Sequence, residues 1–95
     1  MIEILRFRLA DGADEAAFLE ADKLVQAEFA YQQPGLVRRT SARGEDGGWA
    51  VIDLWHSAAQ AEACNAKWGR DDVTAAFMRF VAEDSVTVER YTELD

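Results

Sequence analysis

The sequence is poor in the residues from which most catalytic and metal sites are built. It holds one histidine, His56, one cysteine, Cys64, and one proline, Pro34. A lone cysteine permits no disulfide within the chain and fits a reducing compartment. One imidazole with one thiol disfavours a His/Cys metal site, so no metal is expected. Positive charge is also scarce. Ten Lys and Arg stand against eighteen Asp and Glu, for a formal net charge of -8. An acidic surface repels phosphate backbones and anionic lipid. The longest basic run is the pair Arg38-Arg39, so neither nucleic acid nor a membrane surface is expected as a partner. No apolar run approaches the length that spans a bilayer. The chain opens on the strand-like Met1-Ile2-Glu3-Ile4-Leu5 without a basic region and a long apolar stretch behind it, which makes a cytoplasmic location the expectation. Phosphate-binding glycine loops, nucleophile elbows and internal repeats are missing too.

What the chain has is core. Apolar residues make up 49% of it and aromatics 11%, which excludes disorder and predicts one domain over residues 1–95. Residues 2–9 read as a strand closed by the turn signal Asp11-Gly12. Asp14 can cap a helix whose apolar stripe is Ala17, Phe18, Ala21, Leu24, Val25 and Phe29, and Pro34-Gly35 stops it. Residues 36–43 and 49–55 form two strands around a loose glycine-rich hairpin. Ser57 and Gln60 make a capping-box pattern for a helix carrying Ala61, Cys64 and Trp68 and ending at Gly69. A further helical piece starts at Asp71-Asp72, and residues 85–94 are the last strand.

This β-α-β-β-α-β order predicts an α+β, ferredoxin-like antiparallel sheet with strand order 4-1-3-2. Composition agrees independently: strands one and three, central in that order, are the most apolar, and strands two and four carry charge. Strand one places Leu5, Phe7 and Leu9 on one face against Ile2 and Ile4 on the other. Strand three places Trp49, Val51 and Trp55 against Ala50, Ile52 and Leu54. Helices cover only one face, so the other calls for a second layer, most simply a second copy of the chain in a homodimer. Arg38, Arg39 and Arg43 on strand two and the acidic last strand and tail then suggest a charge-matched seam between subunits.

The strand with its Asp-Gly turn, the Phe18 helix, Pro34-Gly35 before strand two, and Trp55-His56-Ser57 closing strand three together resemble the dimeric α+β barrel superfamily. Among its members the resemblance is to the antibiotic biosynthesis monooxygenase-like domain, and it covers nearly the whole chain. It implies a cavity between sheet and helices for a small apolar or aromatic molecule. It also implies a monooxygenase or isomerase activity that needs no cofactor. The chain departs from the family's catalytic pattern, since a His nine residues after the Trp is Cys64 here. In the heme-degrading members the residues corresponding to Leu5, Cys64 and Thr74 would be Asn, Trp and His, so heme binding is not expected. A non-catalytic ligand-binding or accessory dimer is the alternative.

Three residues are candidates for acid-base and orienting roles. His56 is a general base at a cavity mouth or a strand-end surface residue. Asp53 shares a face with Val51 and Trp55 and needs a partner if buried, with Arg6 and Arg8 on the neighbouring strand as candidates. Arg6 and Asp53 thus either form an ion pair across the sheet or the polar end of a ligand cavity. Leu5, Phe7, Trp55, Cys64, Trp68 and Phe77 are the candidate ligand wall, or simply core packing.

Overall fold

A computed structural model describes residues 1–95. Its elements follow in the order β1 (Ile2–Phe7), α1 (Glu15–Leu24), β2 (Leu36–Arg43), β3 (Trp49–Trp55), α2 (Ala58–Lys67), α3 (Asp72–Met78) and β4 (Thr87–Tyr91). The four strands form one sheet in the order β2-β3-β1-β4, antiparallel throughout, as the element order predicts. No helix is long and apolar enough to cross a membrane.

Local chemistry accounts for the element ends. The Asp14 carboxylate accepts from the Ala16 N–H at 3.1 Å and Ser57 Oγ accepts from the Gln60 N–H at 3.2 Å, opening α1 and α2. Asp71 accepts from the Thr74 N–H at 2.8 Å and opens α3. Each cap satisfies an N–H that lacks an intrahelical acceptor. Gly35 turns the chain into β2 with a φ of +86°, and a Cβ there would sit 2.1 Å from Gln60 Oε1. Only glycine combines that φ with that contact.

The first helix departs from the expected stripe. Asp22 is buried on it while Leu24 is half exposed. Beyond Leu24 the helix loosens into a π turn (Val25–Phe29) and then tightens into a 3-10 turn (Ala30–Gln32). The last strand is shorter than expected, because Glu83–Ser85 form a 3-10 turn before it.

The helix side of the sheet carries Glu3, Leu5 and Phe7 from β1 and Trp49, Val51, Asp53 and Trp55 from β3. Its core divides in two. Phe7, Phe18, Val25, Trp49, Val51, Phe77 and Val81 make the larger part, knit by edge-to-face ring pairs such as Phe18–Trp49 at 5.0 Å. Truncating Phe18 or Phe77, both sealed from solvent, would cost about 3–5 kcal/mol. Phe29, Trp55, Ala61 and Cys64 make the smaller part, and Trp68 packs against both.

The opposite face has no cover. Ile2, Ile4, Ala50, Ile52 and Leu54 lie on it, and Ile52, Val37 and Tyr91 are among the large apolar residues left exposed. The charge-matched seam does not survive in its expected form. Arg39 points to the helix side and pairs with Asp22, and Arg43 pairs with Glu15 of the same chain.

Candidate functional site

A cavity of about 630 Å³ lies between the two parts of the core. That is a volume suited to a molecule of a few fused rings. Leu5, Phe7, Trp55, Cys64, Trp68 and Phe77, the six apolar candidates from the sequence, all line it. Phe29 reaches it from the π turn, a geometry that often marks functional positions. Val88 and Arg90 on the edge strand β4 also line it while remaining about half exposed, so the cavity reaches the surface along β4.

One rung of the sheet crosses this apolar space with four charged side chains. Arg39 on β2 is the cross-strand partner of Asp53 on β3, Asp53 of Glu3 on β1, and Glu3 of Arg90 on β4. All four line the cavity. At the β2 end, Arg39 is 4% exposed, and its Nη2 donates to Asp22 at 2.7 Å and its Nη1 to Gln26 at 3.2 Å. Its guanidinium stands 6.0 Å from the Phe77 ring centre, within cation–π range. Ser41 donates to the same Asp22 oxygen at 3.0 Å. At the β4 end, buried Glu3 accepts from Arg90 Nε at 3.0 Å and from Asn65 Nδ2 at 3.2 Å.

Asp53 is the exception in this row. No hydrogen bond or ion pair engages its carboxyl, and its Oδ1 is buried without a partner. Burial raises its pKa to about 6, against the opposing pull of Arg39 and with help from the negative charges of Glu3 and Asp22. Two residues further along the same face, the Trp55 Nε1 is likewise buried without an acceptor. An orphaned acceptor and an orphaned donor on one wall are costly unless a guest or ordered water satisfies them. Cys64 faces the same space from α2. Burial and the charges of Asp53 and Glu3 push its thiol up to about 11 against the weaker effect of Lys67, which leaves it a packing residue at neutral pH.

Two sequence candidates lie elsewhere. Arg6 stands on the uncovered face, opposite Ala50, and pairs with Glu89; the cation beside Asp53 is Arg39. Arg8 is exposed and reaches Asp46 at 3.5 Å. Neither meets Asp53, because side chains alternate along β1 and only its odd-numbered residues face the helices. His56 is exposed beyond the end of β3, with its backbone N–H donating to the Gly35 carbonyl at 2.8 Å, and it does not line the cavity. Thr74 is sealed in the α2–α3 corner between Asp71 and the Gly69 N–H, also away from the cavity. Glu3, Arg39, Asn65 and Arg90 were not among the sequence candidates. Glu3 was within reach of the alternation rule; the other three depend on packing. No three His, Cys, Asp or Glu side chains gather as a metal-binding group.

No protein-family profile and no curated protein matches this sequence. Solved structures do. SnoaB of Streptomyces nogalater, a cofactor-independent oxygenase, superposes with a TM-score of 0.79 at 21% identity, over 99% of this chain and 92% of that one. A Nitrosomonas europaea protein described as a candidate antibiotic biosynthesis monooxygenase gives 0.72 at 17% identity, over 99% and 98%. A similarly described Caulobacter crescentus protein gives 0.70 at 18% identity, over 93% and 83%. This chain has the antibiotic biosynthesis monooxygenase-like fold. The likeness extends to both ends of the chain, so the sheet, the split core and the cavity between them belong to the shared architecture rather than to an added segment.

Proposed function

We propose that this protein is a cofactor-independent oxygenase of the antibiotic biosynthesis monooxygenase type, acting as a homodimer on a small aromatic molecule that carries an acidic C–H or O–H. The observation that carries the reading is the Asp53 carboxyl, unpartnered in an apolar cavity with its pKa raised to about 6. A carboxylate in that condition is ionised at neutral pH yet holds a proton more strongly than an ordinary aspartate, which suits a general base. The fold shared with SnoaB supports the reaction class.

In this reading the aromatic walls Phe7, Phe29, Trp68 and Phe77 hold the substrate's rings. Asp53 removes a proton from a methylene activated by the neighbouring ring system. Trp55 Nε1 donates to the oxygen on which the negative charge then rests. The carbanion passes one electron to O2, and the two radicals join to form a C–O bond. The resulting hydroperoxide loses water to leave a ketone. Overall a CH2 group and O2 give C=O and H2O, with the Asp53 proton leaving in the water.

The uncovered sheet face supports the dimer. Ile52, Val37 and Tyr91 there are exposed, and a second copy is the simplest cover for such a surface.

Anthrone, which combines a ring ketone with an acidified methylene, is a suitable probe. Oxygen uptake with appearance of quinone absorbance is the expected result. Asp53→Asn should lower the rate about 100-fold or more, and His56→Ala should leave it within about twofold. Full activity in Asp53→Asn would refute the base assignment. The absence of an imidazole from the cavity favours a second reading, a ligand-binding module without turnover. Quenching of tryptophan fluorescence by anthrone without oxygen uptake would select it.

A further inference from the structure

The charged row contains two arginines and two carboxylates, yet the central carboxylate goes unpaired. Simple electrostatics would place Arg39 on Asp53, its direct cross-strand neighbour. Instead Arg39 is drawn back to α1 by Asp22 and Gln26, at 2.7 and 3.2 Å. Arg90, the other cation of the rung, is held by Glu3 at 3.0 Å, and Glu3 is itself steadied by Asn65 on α2. Each arginine therefore has a carboxylate of its own before Asp53 can claim it.

We propose that Asp22 and Glu3 are positioning residues: by engaging Arg39 and Arg90 they keep the Asp53 carboxyl free of any cation, so that it can take a proton from a bound molecule. The proposal rests on the reading of Asp53 as a proton acceptor and adds the machinery that keeps it one. Glu3 does more than occupy Arg90. It lies directly across the β1–β3 pair from Asp53, so its negative charge opposes ionisation of Asp53 and offsets the pull of Arg39. The groups facing Asp53 are Arg39 from β2, Glu3 from β1, Asp22 from α1 behind Arg39, and Cys64 with the neutral Asn65 and more distant Lys67 from α2. Arg90 of β4 stands one strand further off. One consequence concerns selectivity. A guest that presents an anion toward Asp53 meets Glu3 as well, so this part of the cavity favours a neutral hydrogen-bond donor.

The test needs no substrate. The carboxyl 13C resonance of Asp53, assigned by its loss in Asp53→Asn, is followed by NMR as pH is varied. In the wild type the midpoint should lie near 6. Glu3→Gln removes the opposing charge and frees Arg90. Asp22→Asn leaves Arg39 a carbonyl but no charge, so that it can turn to Asp53. Each variant should lower the Asp53 midpoint by about one pH unit, a tenfold loss of proton affinity. Backbone amide spectra report whether the fold is kept; if Asp22→Asn does not fold, Glu3→Gln decides alone. A midpoint that stays in place or rises in a folded variant overturns the proposal, since a purely structural ion pair has no reason to move Asp53 downward. Should both midpoints fall while Asp53→Asn still oxidises anthrone, the positioning stands and the catalytic assignment falls.

Discussion

The unpartnered carboxyl of Asp53 carries a stability cost that can be worked out and removed. In the folded protein its proton is held up to about pH 6, against 3.8 for an ordinary aspartate. Between those pH values the folded state binds more protons than the unfolded chain, so stability falls as pH rises through the window. The displacement from 3.8 to about 6 corresponds to about 3 kcal/mol at pH 7. Water entering the cavity and residual structure in the unfolded chain bring the expected effect nearer about 2 kcal/mol. Asp53→Asn keeps the shape and abolishes the charge. It should therefore be more stable than wild type at pH 7 by about 2 kcal/mol, a rise in Tm of about 10 °C for a domain of this size. At pH 4, where the folded wild type is already neutral at this position, most of the gain should vanish. Thermal unfolding by circular dichroism at both pH values, at one fixed protein concentration, is the assay. A variant no more stable than wild type at pH 7, or equally stabilised at both pH values, would refute the account. The same substitution is the one expected to abolish oxygenation, so a gain in stability would accompany a loss of activity.

Other expected outcomes follow from separate parts of the molecule. Asp22→Ala strands the buried Arg39 guanidinium and should destabilise by about 3–5 kcal/mol in urea unfolding, far more than removal of the exposed Glu20–Lys23 pair. Light scattering should give about twice the 10.6 kDa chain mass, and Ile52→Asp on the uncovered face should shift the protein toward monomer; a monomeric wild type would remove the dimer from the proposed function. With the Cys64 thiol pushed up to about 11, its alkylation by iodoacetamide at pH 8 should run about 100-fold slower than that of an ordinary thiol, measured by mass spectrometry; an ordinary rate would mean that the thiol is neither buried nor shielded.

The fold was open to reading because its signals are local and agree with one another. Strands β2 and β3 span the residues that their composition marks, and the caps Asp14, Ser57 and Asp71 sit where the sequence places them. The apolar wall of the cavity could be read for the same reason, since alternation along β1 and β3 sorts Leu5, Phe7 and Trp55 onto one face. Applied strictly, that rule also puts Glu3 beside them and sends Arg6 to the far side; the pairing of Arg6 with Asp53 overlooked it. Arg39 was hidden for a different reason. A shift of register between Leu36 and Arg38 inserts one extra residue into β2, so Leu36 and Arg39 both end on the helix side. Counting by twos from Leu36 would turn Arg38 inward and Arg39 outward. A bulge of this kind has no signature in the residues themselves, and Asn65 and Arg90 enter the site only through tertiary packing.

The π turn at Val25–Phe29 gives the cavity an adjustable dimension that composition alone does not. A π turn closes its hydrogen bonds one residue later than an α turn, so it accommodates one more residue than regular helix between the same two ends. Deleting one residue there would let α1 continue in regular geometry and rotate everything after the cut by about 100°. Phe29 would swing off the cavity wall and Tyr31 would leave the β2 backbone it holds at Arg39. In this chain, then, the size of the guest is governed by helix length as well as by side-chain volume. A library of single-residue deletions and insertions across residues 24–30 would explore cavity shapes that substitution cannot reach.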